Sequence, residues 1–311
     1  MIHFVLYGYV RHVDNSAIDL GGKKVLITGA SSGIGAGLAE EFALRGATVG
    51  ICARRVERLA EVLGRCRQHS PASRMWITDL SAPGAPETLA ATAVEELGGV
   101  DILVNNAGIP KRRHVTRLDG DTVEAVMRVN FLAPARLTLA LLPHLAQTGE
   151  GRVVNISSVA ATLSSPNESA YDASKAALSV FSEALAVDMW NRGVEVLVVY
   201  PGLVDTELVS APDNDPVVDS PAEPVAVSEV VAAVFDGLDR HATQVYVPGF
   251  FEELAAGKAR DVPAFLEGAA AFVASQSGPD TGAAPTPDGA RAHATADDPA
   301  PPAARPAPAS V

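Results

Sequence analysis

The chain has 311 residues, 48% hydrophobic and 20% charged, which is typical of a globular protein with a full core. Its formal net charge of -13 argues against a nucleic-acid partner, whose phosphates would be repelled. Its two cysteines, Cys52 and Cys66, argue against a disulfide framework and fit a reducing compartment. The longest apolar stretches are expected to be too short or too interrupted to span a bilayer. The apolar start is a poor secretory signal, so we expect a cytoplasmic protein.

In chain order, residues 1–20 form an N-terminal extension, after which short β-rich runs alternate with longer helical patterns. The predicted strands are Lys24–Thr28, Thr48–Ala53, Met75–Thr78, Asp101–Asn105, Arg152–Ser157, Val194–Tyr200 and Gln244–Val247. The predicted helices are Gly33–Arg45, Val56–Gln68, Ala85–Leu97, Thr122–Leu145, Tyr171–Arg192 and Val227–Leu238. This order predicts one doubly wound α/β domain over 21–275 with a mainly parallel sheet, flanked by helices on both faces. Ligands are expected beyond the carboxyl ends of its strands.

A glycine-rich turn follows the first predicted strand. It reads Thr28-Gly29-Ala30-Ser31-Ser32-Gly33-Ile34-Gly35 and leads into an amphipathic helix. Glycines let the backbone approach a pyrophosphate, and the helix N-terminus favours the same anion. This setting predicts a dinucleotide site, with contacts from Gly29, Ser31, Ser32, Gly33, Ile34 and Gly35.

The end of the second predicted strand distinguishes the two nicotinamide cofactors. NAD sites place a carboxylate there for the ribose 2′-hydroxyl, whereas arginine accommodates a 2′-phosphate. Here Arg54 and Arg55 follow the strand and no acid precedes them, so we predict NADP(H), with Arg54 as the preferred contact. The alternative is that both arginines only begin a solvated helix.

Polar residues with catalytic potential gather near the later strand ends. Tyr171 and Lys175 are four apart at the start of a predicted helix, so they face the same way. A nearby ammonium favours phenolate, and a three-unit drop in the tyrosine pKa needs about 4 kcal/mol of interaction. Ser157 and Ser158 end one strand and Asn105–Gly108 ends another, while Asn130 lies inside a long predicted helix.

Together, the turn Thr28–Gly35, Asn105–Gly108, Asn130, Ser158, Tyr171, Lys175 and Pro201-Gly202 resemble the short-chain dehydrogenase/reductase family, in its shorter, non-extended branch. The resemblance covers about residues 20 to 250 and implies a Rossmann-type fold with a seven-stranded sheet. Ser158, thirteen positions before Tyr171, matches the family's serine better than Ser157.

The resemblance implies an oxidoreductase that interconverts a ketone or aldehyde and an alcohol. Tyr171 is then the acid/base, Ser158 binds the substrate oxygen, and Lys175 lowers the pKa of Tyr171 and holds the nicotinamide ribose. Asn130 would anchor a water relay, and no metal is required. Further implied cofactor contacts are Asp79, Leu80, Asn106, Ala107, Gly108, Pro201, Gly202, Val204 and Thr206, beside Tyr171 and Lys175.

The remaining segments bear on substrate and assembly. A substrate loop is expected at about 203–225, with apolar residues that favour an apolar carbonyl or alcohol substrate. Residues 262–275 have helical spacing, and the Ala/Pro-rich stretch 276–311 is predicted to be a disordered tail. Two long helices resemble the family's assembly helices, which implies a homodimer or homotetramer. The alternatives are an epimerase or dehydratase on the same scaffold, and a non-catalytic NADP-binding interaction module.

Overall fold

A computed structural model of the protein describes residues 17–217 and 223–276. Nearly all of the predicted extension 1–20 and of the predicted tail 276–311 lies outside these residues, as do five positions of the predicted substrate loop. The domain boundaries therefore stay a prediction.

In the described part of the chain, seven strands form one sheet, and every pairing between neighbours is parallel. The strands are β1 (Lys24–Thr28), β2 (Thr48–Ala53), β3 (Arg74–Ile77), β4 (Ile102–Asn105), β5 (Gly151–Ile156), β6 (Val194–Pro201) and β7 (Gln244–Val247). Their order across the sheet is β3-β2-β1-β4-β5-β6-β7. The predicted fold class is confirmed.

The helices are α1 (Gly33–Leu44), α2 (Val56–Arg67), α3 (Ala85–Leu97), α4 (Gly120–Met127), α5 (Ala133–Gln147), α6 (Ala160–Leu163), α7 (Ser169–Asp188), α8 (Val227–Asp239), α9 (Phe250–Arg260) and α10 (Val262–Gln276). A 3-10 turn covers Val115–Arg117 and a π-helical turn covers Arg128–Leu132. The short α6 and the whole of α9 were not predicted.

The two faces of the sheet carry separate apolar clusters. Val25 and Ile27 of β1 pack with α1 and α8 through residues such as Phe42 and Val234. Leu26, which lies between them, faces the other side and packs with α3, α5 and α7. Alternate side chains of a strand point to opposite faces, so a strand buried on both sides reads as a continuous apolar run.

The strand order reverses direction between β1 and β4. A crevice forms at such a point beyond the carboxyl ends of the strands, where open α/β sheets bind their ligands. The segments that leave β1 and β4 begin at Gly29 and Asn106, so both predicted cofactor segments lie at this crevice.

The helix predicted over Thr122–Leu145 is not uniform. It is divided into α4 and α5 by the π-helical turn Arg128–Leu132. Pro134 has no N–H, so it cannot donate to the carbonyl of Asn130 four residues earlier, and the regular ladder is interrupted there.

The same region corrects the prediction about membranes. Within the described residues, the continuous helical stretch Gly120–Gln147 is 28 residues long and apolar enough to cross a bilayer by length and composition. The sequence-based exclusion of a membrane span was therefore wrong. In this fold 44% of the most apolar window of that stretch is buried, as is also found in core helices of soluble proteins.

Candidate active site

The glycine-rich turn packs against the segment that follows β4. Gly29 has a φ of +67°, and a Cβ there would lie 2.7 Å from the Cα of Ala107. A Cβ on Gly35 would lie 2.4 Å from the Nδ2 of Asn106. Any side chain at Gly29 or Gly35 would therefore push the two segments apart. Glycine is required here by the close approach of two backbones.

Hydrogen bonds fasten these two segments together. The Thr28 hydroxyl accepts from the backbone N–H groups of Asn106 at 3.0 Å and Ala107 at 3.1 Å. The Asn106 amide donates back to the carbonyls of Thr28 at 3.0 Å and Gly29 at 3.2 Å. Gly108 then lies beside the catalytic candidates, because a Cβ on it would be 3.5 Å from the Lys175 Nζ.

Tyr171, Ser158 and Lys175 come together at the carboxyl ends of β4 and β5. The Ser158 side chain interacts with the Tyr171 phenol and acts to lower its pKa, and the Ser158 hydroxyl accepts from the Ala160 N–H at 3.1 Å. The Lys175 Nζ lies 5.7 Å from the centroid of the Tyr171 ring and donates to the Ile156 carbonyl at 2.8 Å. Two neighbouring hydroxyls beside a buried amine can hold and transfer a proton.

The neighbouring Ser157 points away from this group. Its hydroxyl is buried and lies 2.9 Å from the Ser179 hydroxyl, and it donates to the Lys175 carbonyl at 3.2 Å. Of the two serines, Ser158 is therefore the one whose side chain interacts with Tyr171.

Asn130 lies in the π-helical turn with its side chain buried. Its Oδ1 accepts from the Ile109 N–H at 2.8 Å, and its Nδ2 donates to the Ile109 carbonyl at 3.0 Å and to the Ser174 hydroxyl at 3.1 Å. This amide therefore ties the segment after β4 to the start of α7, and so fixes the distance between the cofactor segment and Tyr171.

Burial governs the titration of Tyr171. Desolvation raises the pKa of its phenol well above the ordinary value, and the negative charges of Glu168 and Asp172 raise it further. The hydrogen bond from Ser158 and the charge of Arg112 act in the opposite direction. The expected lowering of this pKa by Lys175 does not occur in this structure, and the phenol is protonated at neutral pH.

Two neighbours of Tyr171 titrate near neutrality for the same reason. Burial lowers the pKa of Lys175 to about 8. Burial and the charge of Glu168 raise the pKa of Asp172 to about 8, and its Oδ1 has no hydrogen-bond partner among the described residues. Burial also raises the pKa of Glu168. The surroundings of Tyr171 thus disfavour charge of either sign.

At the adenosine end, the structure distinguishes the two arginines. The Arg55 guanidinium donates to the Ser32 hydroxyl at 2.6 Å and to the Ser31 hydroxyl at 3.0 Å. Arg54 is exposed. The pKa of Asp79 is lowered chiefly by hydrogen bonds from Ser81, and the charge of Arg54 adds a smaller effect in the same direction. Arg55, rather than the preferred Arg54, therefore reaches the glycine-rich turn.

The other predicted contacts lie around this core of the site. Leu80 is partly buried against the cluster on the α3 face. Ile34 packs on the opposite cluster. Gly202, after Pro201, donates to the Val247 carbonyl at 2.8 Å. Val204 is buried and bridges to Val225.

Thr206 closes the site on the side of α1. A Cβ on Gly33, whose φ is +56°, would lie 3.0 Å from the Thr206 Cγ2. The segment that leaves β6 therefore runs beside the glycine-rich turn and returns towards the segment after β4.

This loop is fastened by charged residues whose ion pairs were not predicted from the sequence. Arg112 is buried and its guanidinium donates to the carbonyls of Asp215, at 3.0 Å, and Val209. Lys111 and Arg113 both pair with Asp213, at 2.6 and 2.5 Å. The signal in the sequence was the basic run after β4 facing an acidic loop, but that pattern does not specify which residues pair.

The site fits a nicotinamide dinucleotide. The turn between β1 and α1 carries no side chain at the positions of closest approach. The Ser32 hydroxyl at the start of α1 accepts from Arg55 instead of capping the helix, which leaves the first turn of α1 to an anion. Fold and site together define a dinucleotide-binding α/β protein with a hydroxyl pair suited to acid/base chemistry.

Comparisons with known proteins give the family. The short chain dehydrogenase family matches residues 23–216. A short chain dehydrogenase of Pseudocercospora fijiensis is 40% identical over 197 residues, 63% of each chain. Dehydrogenase/reductase SDR family member 7B of Mus musculus is 32% identical over 262 residues, 81% of each chain.

A solved short-chain dehydrogenase of Sphingobium yanoikuyae, in complex with NADPH, is 31% identical with a TM-score of 0.68. The match covers 84% of this chain and 98% of that one. The chain belongs to the short-chain dehydrogenase family, and it is an oxidoreductase of a family that uses a nicotinamide cofactor.

The comparisons do not support the predicted substrate and oligomeric state. The apolar substrate and the homodimer or homotetramer have no support in the fold or in these relatives. They are withdrawn together with the exclusion of a membrane span, which the stretch Gly120–Gln147 overturned.

Proposed function

We propose that this protein is an NADP(H)-dependent oxidoreductase that interconverts a ketone or aldehyde and an alcohol. The observation that carries the proposal is the grouping of Tyr171, Ser158 and Lys175, in which the Lys175 amine lies 5.7 Å from the centroid of the Tyr171 ring. This group lies at the carboxyl edge of the sheet, next to the glycine-rich turn, where a cofactor and a substrate would meet.

Tyr171 carries the proton that the reducing direction requires. The nicotinamide cofactor, when bound, supplies or accepts the hydride. A phenol whose pKa is raised by burial is protonated at neutral pH, so it can donate its proton to the oxygen of a carbonyl substrate. Ser158, whose side chain interacts with the phenol, would donate to the same oxygen and stabilise its developing charge.

The preference for NADP(H) rests on Arg55. Its guanidinium lies on the hydroxyls of Ser31 and Ser32, at the end of β2 where NAD sites place a carboxylate. Arginine binds phosphate through paired, charge-assisted hydrogen bonds. The Sphingobium relative, solved with NADPH, supports the same choice.

The test combines binding with turnover. Calorimetric titration with NADPH and NADH measures the cofactor preference, and loss of NADPH absorbance over a panel of ketones and aldehydes measures reduction. We expect tighter binding of NADPH, and a Tyr171→Phe variant that binds NADPH normally but reduces its substrate roughly 10² to 10⁴ times more slowly.

The matched control is Tyr246→Phe, which also removes one phenol hydroxyl but at a ring stacked on Tyr200. It should keep its activity. Binding of NADPH without turnover of any carbonyl compound would favour the interaction module. Failure to bind either cofactor would refute the proposal.

A further inference from the structure

An acidic residue from the segment after β6 lies on the arginines at the start of α2. The Glu207 Oε2 accepts from the Arg55 guanidinium at 2.6 Å, and its other oxygen is paired with Arg58. One carboxylate therefore bridges two guanidiniums that are one helical turn apart.

The same arginine also belongs to the cofactor site. Arg55 donates to the hydroxyls of Ser31 and Ser32 in the glycine-rich turn. Thr206, the residue before Glu207, packs beside Gly33 of that turn. Glu207 thus closes a ring that runs from the turn, through Arg55, to the segment after β6.

The chemistry of this ring makes it a competitor of phosphate. Hydrogen bonds from Arg55 and Arg58 lower the pKa of Glu207 to about 2, so its carboxylate is charged at neutral pH. Carboxylate and phosphate occupy the same forked donors of arginine, and a phosphate monoester carries more charge than a carboxylate.

The Glu207 contacts are also weak enough to be displaced. The side chains of Arg55 and Glu207 are 44% and 48% exposed, and that of Arg58 is 49% exposed. Ion pairs at this exposure are screened by water and salt and are individually worth little. A dianion can therefore take the place of the carboxylate, whereas a ribose hydroxyl cannot.

We propose that Glu207 determines cofactor specificity by occupying Arg55 and Arg58, so that a cofactor 2′-phosphate binds only by displacing its carboxylate. The proposal rests on the NADP(H) preference of the proposed function. It adds that Glu207 lowers the ratio of NADPH to NADH affinity below the ratio that Arg55 and Arg58 would give without it. NADH, which brings no phosphate to these guanidiniums, leaves the Glu207 contacts in place.

The test is the Glu207→Gln variant, which keeps the shape of the side chain and removes its charge. The probes are adenosine 2′,5′-bisphosphate and adenosine 5′-monophosphate, which differ only in the 2′-phosphate, titrated by calorimetry at low salt. We expect binding of the bisphosphate to tighten about threefold to tenfold, with the monophosphate unchanged. The gain should shrink as salt is raised.

Two further variants make the result specific. Glu61→Gln also removes one negative charge, from a position on α2 one turn after Arg58, and should change the ratio of the two affinities far less. In an Arg58→Ala background, the effect of Glu207→Gln should become smaller, because one of the two competing contacts is already gone.

The outcomes separate this inference from the proposed function. An unchanged ratio in a protein that still prefers NADPH would overturn the role of Glu207 alone. Weaker bisphosphate binding in Glu207→Gln would also overturn it, because the carboxylate would then be orienting the arginines for phosphate. A wild-type protein that binds neither NADPH nor the bisphosphate would overturn both.

Discussion

Replacing Asn130 by alanine removes the side chain that ties the segment after β4 to the start of α7. The substitution breaks three hydrogen bonds, two to the backbone of Ile109 and one to the Ser174 hydroxyl. The Asn130 side chain is buried, and alanine offers no polar atom in its place.

The magnitude follows from the groups that lose their partners. The N–H and the carbonyl of Ile109 are partly buried, and a buried polar group left without a partner costs roughly 1–3 kcal/mol. Water entering the space left by the amide recovers part of this cost. We therefore expect Asn130→Ala to lower the free energy of unfolding by about 2–4 kcal/mol, and the Tm by roughly 5–15 °C.

Urea unfolding followed by circular dichroism measures the loss. The control is Gln147→Ala, which removes an exposed amide at the end of α5 and should change the free energy of unfolding by no more than about 0.5 kcal/mol. A loss below about 1 kcal/mol for Asn130→Ala would contradict the assignment, because the Ile109 groups would then have found other partners.

Three further outcomes are expected. Gly35→Ala places a Cβ 2.6 Å from the Gly29 carbonyl oxygen and should lower the free energy of unfolding in urea by about 1–3 kcal/mol. Its control is Gly64→Ala, whose Cβ meets nothing within 4 Å and which should raise the free energy of unfolding by about 0.5–1 kcal/mol. The pKa of Lys175 is about 8 in the fold and about 10.4 when unfolded, so its own contribution to stability should rise with pH between these values, by at most ~3 kcal/mol, while the raised pKa values of Cys52 and Cys66 act in the opposite direction. The difference in free energy of unfolding between the wild type and Lys175→Met should therefore grow in favour of the wild type as pH rises through this range; a difference that does not change with pH would refute it. Burial raises the pKa of Cys52 to about 12 and that of Cys66 to about 11, so neither should react with a thiol reagent at about pH 8 before unfolding.

The sheet and the glycine-rich turn could be predicted because their signals are local. Runs such as Val25–Ile27 are too short and too apolar to be anything but a buried strand between helices. The turn after β1 combines glycines with a helix start, and the two must lie at the carboxyl edge of the sheet. The ends of four strands differ from the prediction by one residue, because the sequence does not mark where pairing stops.

The interruption at Arg128–Leu132 shows what a periodic pattern leaves out. Apolar residues keep their helical spacing through this segment, so the sequence predicted one long helix. Pro134 was the available signal, because its missing N–H frees the carbonyl of Asn130. The structural role of the interruption depends on hydrogen bonds between Asn130 and Ile109. These two residues are distant in sequence, so no local pattern predicts their contact.

Electrostatics at the site was the other part that the sequence could not supply. The spacing of Tyr171 and Lys175 indicates that they face one site, but the pKa of each depends on how completely the fold removes water. Here burial outweighs the amine, so the phenol becomes a weaker acid. The choice between Arg54 and Arg55 was equally open, since the direction of each side chain depends on the Ser31 and Ser32 hydroxyls.

The bonds that assemble the site are of two kinds, and they separate stability from activity. Lys175 and Asn130 are buried and bond to the backbone carbonyls of Ile156 and Ile109, so they join segments of the fold as well as facing the crevice. In the described part of the chain the Ser158 hydroxyl accepts from the Ala160 N–H, and water can replace it there. Truncating Asn130 should therefore lower stability and activity together. Ser158→Ala should lower activity with little change in urea unfolding, because in the proposed function its hydroxyl binds the reacting oxygen, whereas the fold depends little on it.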